Sequence, residues 1–164
     1  MERIVVMGPS GSGKSLVGAA LAARLGVHFV DGDDLHPRSN VAKMAAGTPL
    51  DDRDREPWLD SVAGVLVREA PVVLACSALR RAYRDRIRVN CSDAWFVELV
   101  VDSTQLRDRM SRRDHFMPPA LLDSQLATLE PLGTDERGAR VANDASLESV
   151  VERIATVYAT QSLR

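Results

Sequence analysis

The stretch that decides the fold is Gly8-Pro9-Ser10-Gly11-Ser12-Gly13-Lys14-Ser15, which satisfies the pattern G-x-x-x-x-G-K-[ST]. Its surroundings make the match credible. Arg3 to Met7 is mostly β-branched and apolar and reads as a strand, and Ser15 to Leu25 carries apolar and small residues at helical spacing. A glycine-rich turn between strand and helix lets successive backbone N–H groups face an anion, and the helix N-terminus adds positive potential. Gly8, Ser10, Gly11, Ser12 and Gly13 would cradle the phosphates of a nucleotide. Lys14 would reach the β- and γ-phosphates, and Ser15 would ligate Mg²⁺.

Moving outward, Gly26 ends the helix, and Val27 to Val30 forms a second short strand that stops at Asp31. From Leu35 to Pro57 the chain turns polar, with Pro37, Gly47, Pro49 and Pro57 as breaks around a short helix near Ser39 to Ala46. Helical periodicity resumes at Trp58 to Glu69, and Val72 to Cys76 is an unbroken apolar run of the kind buried on both faces. Helix at Ala82 to Asn90, strand at Trp95 to Val101 and helix at Ser103 to Arg113 follow. A helical run from Met117 to Glu130, a weak strand at Ala139 to Ala142 and a helix at Leu147 to Ser162 capped by Ser146 complete the chain. Alternating elements of these lengths predict an α/β three-layer fold, a parallel sheet with helices on both faces. Ligands gather at the carboxyl ends of its strands.

Composition narrows the function. The 164 residues suit a single domain spanning 1–164, and no apolar run reaches the ~18 residues that a membrane helix requires. Met1-Glu2-Arg3-Ile4 lacks the basic-then-apolar layout of a secretory signal, so the expectation is a cytoplasmic protein with no membrane partner. The net charge of −2 and the 4% aromatic content argue against a nucleic-acid binder. Cys76 and Cys91 have neither disulfide nor metal-ligand spacing and read as reduced, buried thiols. Only Lys14 and Lys43 are lysines; the cluster Arg80, Arg81, Arg84, Arg86 and Arg88 reads mostly as a solvated helix face.

Nucleotide binding alone covers switches, motors and kinases. Neither lysine sits in an Asn-Lys-x-Asp base-reading motif, and the run Val72 to Cys76 ends in Cys76-Ser77 rather than in an acid. Asp31 and Asp33 stand two apart after the second strand, so an extended chain would point both to one side. In a small-molecule kinase one such acid holds the Mg²⁺ shell while the other orients the acceptor hydroxyl and takes its proton.

Asp31-Gly32-Asp33-Asp34-Leu35-His36-Pro37, Asn40, Lys43-Met44, Gly47, Pro49-Leu50, Asp52, Asp54-Arg55 and Pro57-Trp58-Leu59 together resemble the gluconokinase signature. Cys76-Ser77-Ala78-Leu79-Arg80-Arg81 with Tyr83-Arg84-Asp85, and His115-Phe116-Met117-Pro118 with Leu121-Leu122, Ser124-Gln125 and Thr128-Leu129-Glu130, are similar to the same family. The resemblance implies transfer of the γ-phosphate of ATP to the 6-hydroxyl of D-gluconate, with Mg²⁺. Gluconate needs cations for its carboxylate and hydrogen-bonding groups for its hydroxyls. Arg80, Lys43, His36 and His115 are the candidates the resemblance offers, with Asp33 on the reacting hydroxyl and Asp31 towards the metal.

Residues 112–131 resemble the mobile lid of this kinase group, and Arg109 would lie near the adenine. Family members place two arginines four apart, the second followed by two residues and a histidine. Arg113 keeps the spacing from Arg109 and is taken as the catalytic lid arginine; Arg112 keeps the distance to His115 and is the alternative. Relatives are often dimeric, so a homodimer is an expectation. Asp52, Asp54 and Arg55 read either as pocket residues or as salt bridges tying the polar segment together, and Trp58 reads as core. The competing readings are a shikimate-kinase-like enzyme, which would not need the Leu35-His36-Pro37 segment, and a nucleotide-dependent switch, which would not need acceptor residues.

Overall fold

The computed structural model describes residues 1–112 and 120–163. Five strands, β1 (Arg3–Met7), β2 (His28–Asp31), β3 (Val72–Ala75), β4 (Trp95–Val100) and β5 (Gly138–Ala142), form one sheet in the order β2-β3-β1-β4-β5. Every pairing is parallel, with Ile4 opposite both Val73 and Trp95. The strands alternate with helices α1 (Lys14–Leu25), α2 (Arg38–Ala45), α3 (Asp52–Arg68), α4 (Arg81–Asn90), α5 (Ser103–Ser111), α6 (Leu121–Thr128) and α7 (Leu147–Ser162). Among the described residues no helix is long and apolar enough to cross a membrane.

The central strand shows why the layers form. Ile4, Val5, Val6 and Met7 are wholly buried, yet successive side chains face opposite ways. Val5 and Met7 enter a core with Trp58, Val62, Leu66 and Ile87 from α3 and α4. Ile4 and Val6 enter a second core with Val17 and Leu21 of α1 and Val150 and Ile154 of α7. Each such side chain contributes about 1.5–3 kcal/mol on burial, so both faces must be covered.

Some departures from the sequence reading bear on the site. Helix α3 begins at Asp52, six residues ahead of the expected Trp58, and contains Pro57. A capping box explains the early start: Asp51 accepts from the Asp54 amide at 2.8 Å, and Asp54 accepts from the Asp51 amide at 2.9 Å. Pro57 removes the donor that the Arg53 carbonyl would use, but both residues are exposed and water can serve instead. Helix α5 stops at Ser111 rather than Arg113, and Arg112 is its C-cap. The chain after β2 does not stay extended, because Gly32–Leu35 winds into a 3₁₀ turn.

The arginine cluster is only partly a solvated face. Arg81 and Arg86 do pair on the surface, with Asp135 and Asp60. Arg84, however, is fully buried, bonded to Glu136 at 2.7 and 2.8 Å and to the carbonyls of Ala78, at 3.0 Å, and Glu130, at 3.1 Å.

Candidate active site

The loop Gly8 to Gly13 leaves β1 at its carboxyl end and feeds α1. Gly13 is the N-cap of α1 at φ +93°, a left-handed conformation that glycine adopts without strain. No side chain caps the helix and no acid occupies its first turn, so its N-terminal amides and their positive potential suit an anion. The loop is braced from outside the sheet edge. Asn143 donates to the Ser12 carbonyl at 2.8 Å, and Arg109 donates to the Gly11 carbonyl at 3.0 Å. The Lys14 ammonium donates to the Pro9 carbonyl at 3.1 Å, and the Ser10 amide donates to Gln125 Oε1 on α6 at 2.7 Å.

The acids come from β2, two strands away in the sheet. Asp31 accepts from the Ser15 hydroxyl at 2.6 Å through one oxygen and from the Asp33 amide at 3.0 Å through the other. The second bond caps the 3₁₀ turn, which is how two acids on a bent chain still reach the same region. Only glycine fits between them, because a Cβ on Gly32 would stand 2.3 Å from the Ala75 carbonyl oxygen. Ser15 and Asp31 supply two hard oxygens side by side, the donor chemistry that suits Mg²⁺ when phosphates complete its shell.

Lys14, Ser15 and Asp33 line one open cleft. Its far wall carries His36, Arg55, Trp58 and Tyr83, and α6 contributes Leu121, Ser124 and Gln125. The Trp58 indole donates to the Gly32 carbonyl at 2.7 Å and stacks on the His36 ring at 4.1 Å between centroids. Trp58 is thus core, at 2% exposure, and pocket wall together. Burial and then the nearby Arg55 charge push the His36 pKa down to about 4, so the ring is neutral at physiological pH.

Of the remaining expected residues, Arg80 and Lys43 do not line the cleft. Arg80 is exposed at the N-cap of α4, its guanidinium 6.0 Å from the centre of the Tyr83 ring. Lys43 pairs with Asp54 at 2.6 Å, a bond that raises its pKa and ties α2 to α3. Arg113 and His115 lie outside the described residues, while Arg112 pairs with Asp108 of its own helix at 3.2 Å. Cys76 is buried, which pushes its thiol pKa up to about 12 and removes it as a nucleophile.

Arg55 lines the cleft beside His36 and Tyr83, apart from the loop lysine, and so offers a second cation there. One of its five donors goes to the Leu50 carbonyl at 2.6 Å, and the guanidinium sits 5.2 Å from the centre of the Tyr83 ring. The sequence carried a signal for it: Arg55 directly follows the capping box that starts α3. Asp52, by contrast, does tie the segment together, accepting from the Tyr83 hydroxyl at 2.7 Å.

A parallel sheet with a phosphate loop after its central strand and an acid turn after its edge strand, opening on one cleft, defines a P-loop kinase of small metabolites. The family described as "AAA domain" matches residues 4–132. The gluconokinase of Gluconobacter oxydans is 46% identical over 156 residues, covering 92% of this chain and 88% of that protein. The crystal structure of a gluconokinase from Sinorhizobium meliloti 1021 superposes with a TM-score of 0.88 at 43% identity, covering 98% of this chain and 94% of that one. A shikimate kinase from Acinetobacter baumannii, with a TM-score of 0.69 and 21% identity over 100% of this chain and 96% of that one, shares the fold. The chain belongs to the gluconokinase family.

Proposed function

We propose that this chain transfers the γ-phosphoryl group of ATP to the 6-hydroxyl of D-gluconate, in line and without a covalent enzyme intermediate. The observation that carries the reading is the shared cleft: a phosphate-binding lysine and a carboxylate at the carboxyl ends of two parallel strands face one space. The amides of Gly11 and Gly13 and the first amides of α1 hold the phosphates, Lys14 meets the transferring group, and Asp33 orients the acceptor hydroxyl and takes its proton. As the new P–O bond forms, the bond from the γ-phosphorus to the bridging oxygen breaks and ADP leaves. Ser15 and Asp31 would hold Mg²⁺, whose chemistry is to neutralise phosphate charge.

Arg55 supports the sugar-acid reading, because a guanidinium grips a carboxylate in two places and the cleft wall opposite the loop needs such a group. His36 serves a hydroxyl. Arg80 acts from the rim, with Lys43 as a brace of the wall. Arg109 flanks the nucleotide from its seat on Gly11. For Arg113, or Arg112, and His115 the roles rest on their spacing in the lid segment 112–131, which would close over the transferring group and exclude water.

A coupled ADP-release assay across D-gluconate, other aldonic acids and shikimate tests the proposal. Turnover with gluconate well above the rest is the expected result. Turnover with shikimate and none with gluconate would overturn it.

A further inference from the structure

Asn40 sits on α2, 2% exposed, with its side-chain amide between two groups. Its nitrogen donates to the Asp54 carbonyl at 2.8 Å and lies 3.2 Å from His36 Nδ1. A carbonyl oxygen can only accept, so the end of the amide facing Asp54 must be the NH₂ group. The second hydrogen of that group then meets Nδ1, which must be the unprotonated nitrogen. A neutral imidazole carries its single proton on the other nitrogen, Nε2. The ring plane is held by the stack on Trp58, 15° from parallel, and a half-turn within that plane would exchange Nδ1 for a carbon and lose the Asn40 bond.

We infer that Asn40 is a positioning residue that fixes His36 as its Nε2–H tautomer, so that the acceptor pocket offers the polyol a neutral hydrogen-bond donor at that ring. The consequence is selectivity for oxygen acceptors. A hydroxyl lone pair is matched there, and the carboxylate is left to Arg55. Protonation is opposed on several sides: by the ring's partial burial, by the Arg55 charge, and by the Asn40 amide, which already fills Nδ1 with a donor. Of the nearby carboxylates, Asp54 is engaged by Lys43 and by the Asp51 amide, and Asp33 lines the same cleft as the ring. The inference about the polyol rests on the sugar-acid reading of the cleft; the tautomer does not.

The test is a long-range ¹H–¹⁵N correlation spectrum of the ¹⁵N-labelled protein, in which the two nitrogens of a histidine ring show which one carries the proton. Three histidines keep assignment simple, and His36→Gln identifies the signal. The expected spectrum is Nε2–H for His36 in the unaltered protein, with the ring still neutral at pH 6. A proton on Nδ1 in that spectrum overturns the inference without any variant. Asn40→Asp replaces the donor by an acceptor of the same shape. It is expected to move the proton to Nδ1 or to charge the ring, and to raise the gluconate KM roughly tenfold with the ATP KM unchanged, the scale of one lost hydrogen bond. An unaltered tautomer in Asn40→Asp overturns it as well. Nε2–H in a protein that ignores gluconate would sink the substrate reading while leaving the tautomer standing.

Discussion

The Ser15 hydroxyl and the Asp31 carboxylate meet at 2.6 Å, although one begins a helix after β1 and the other ends β2, with β3 lying between the two strands. The pairing joins the nucleotide side of the cleft to the acid turn. If these two oxygens hold Mg²⁺, Ser15→Ala and Asp31→Asn each raise the Mg²⁺ concentration for half-maximal rate by about tenfold or more. The gluconate KM should stay close to its starting value. A metal titration of the steady-state rate checks this, and an unchanged Mg²⁺ requirement in both variants contradicts it.

The cations of the acceptor wall should separate by their position. Arg55→Ala removes a guanidinium that lines the cleft and should raise the gluconate KM by about 10- to 100-fold, the range for a hydrogen bond to a charged group. Arg80→Ala, at the rim, should raise it less. Lys43→Ala should act mainly on stability, by releasing Asp54 from its ion pair. Steady-state kinetics of the three variants with gluconate and ATP varied in turn measure the order, and a larger effect from Arg80 than from Arg55 would reverse the assignment.

Acid should weaken the fold in two stages. His36 has its pKa lowered from 6.5 to about 4, so its contribution is complete above pH 6.5 and is lost as pH falls through 4. Glu136 is lowered from 4.5 to about 2: burial opposes the charged form, and the hydrogen bonds from Arg84, the Gly133 amide and Arg88 more than offset it. Its contribution is present above pH 4.5 and disappears as pH falls through 2. Thermal unfolding followed by circular dichroism should therefore show a Tm that falls from pH 6.5 downward, the part above pH 4.5 being absent in His36→Gln. A Tm independent of pH between 6.5 and 4 in the unaltered protein would count against the His36 environment.

The same network predicts a large stability effect far from the chemistry. Arg84→Ala leaves Glu136 charged, buried and short of a partner, and should lower the unfolding free energy by about 3–5 kcal/mol. Urea denaturation measures it. A loss below about 1 kcal/mol, the scale of a surface pair, would mean that Arg84 behaves as the exposed arginines around it do.

What the sequence made legible follows from how local each signal is. The loop, β1 and α1 are written in adjacent residues, and β1, β3 and β4 are legible to within about one residue as apolar runs, because a strand buried on both faces has few polar positions to blur it; the half-exposed edge strands β2 and β5 are bounded by the turn residues beside them. The start of α3 was missed because Pro57 is a louder signal than the Asp51–Asp54 capping box, which outweighs it in the folded chain. The burial of Arg84 was missed for a different reason. Its partner Glu136 is 52 residues away, and no pattern within one helix distinguishes it from Arg81 or Arg86. For the candidate site, spacing singles out Asp31 and Asp33, and the family resemblance adds His36 and Arg80; that Arg55 lines the cleft while Arg80 does not is decided by the fold, since both lie near Tyr83. Asn40 stood in the quoted motif without a role, because its function depends on the Asp54 carbonyl, a backbone group with no trace in the residue code.

Asp33, which lines the same cleft as Lys14, is proposed to accept the proton of the hydroxyl that is phosphorylated. Single-turnover quench experiments on Asp33→Asn, with ATP affinity measured in parallel by calorimetry, address it most directly. The predicted result is ATP binding within about twofold of the unaltered protein together with phosphogluconate formation slowed by about 10²- to 10⁴-fold, the contribution of a positioned general base. Near-normal transfer by Asp33→Asn would contradict the account.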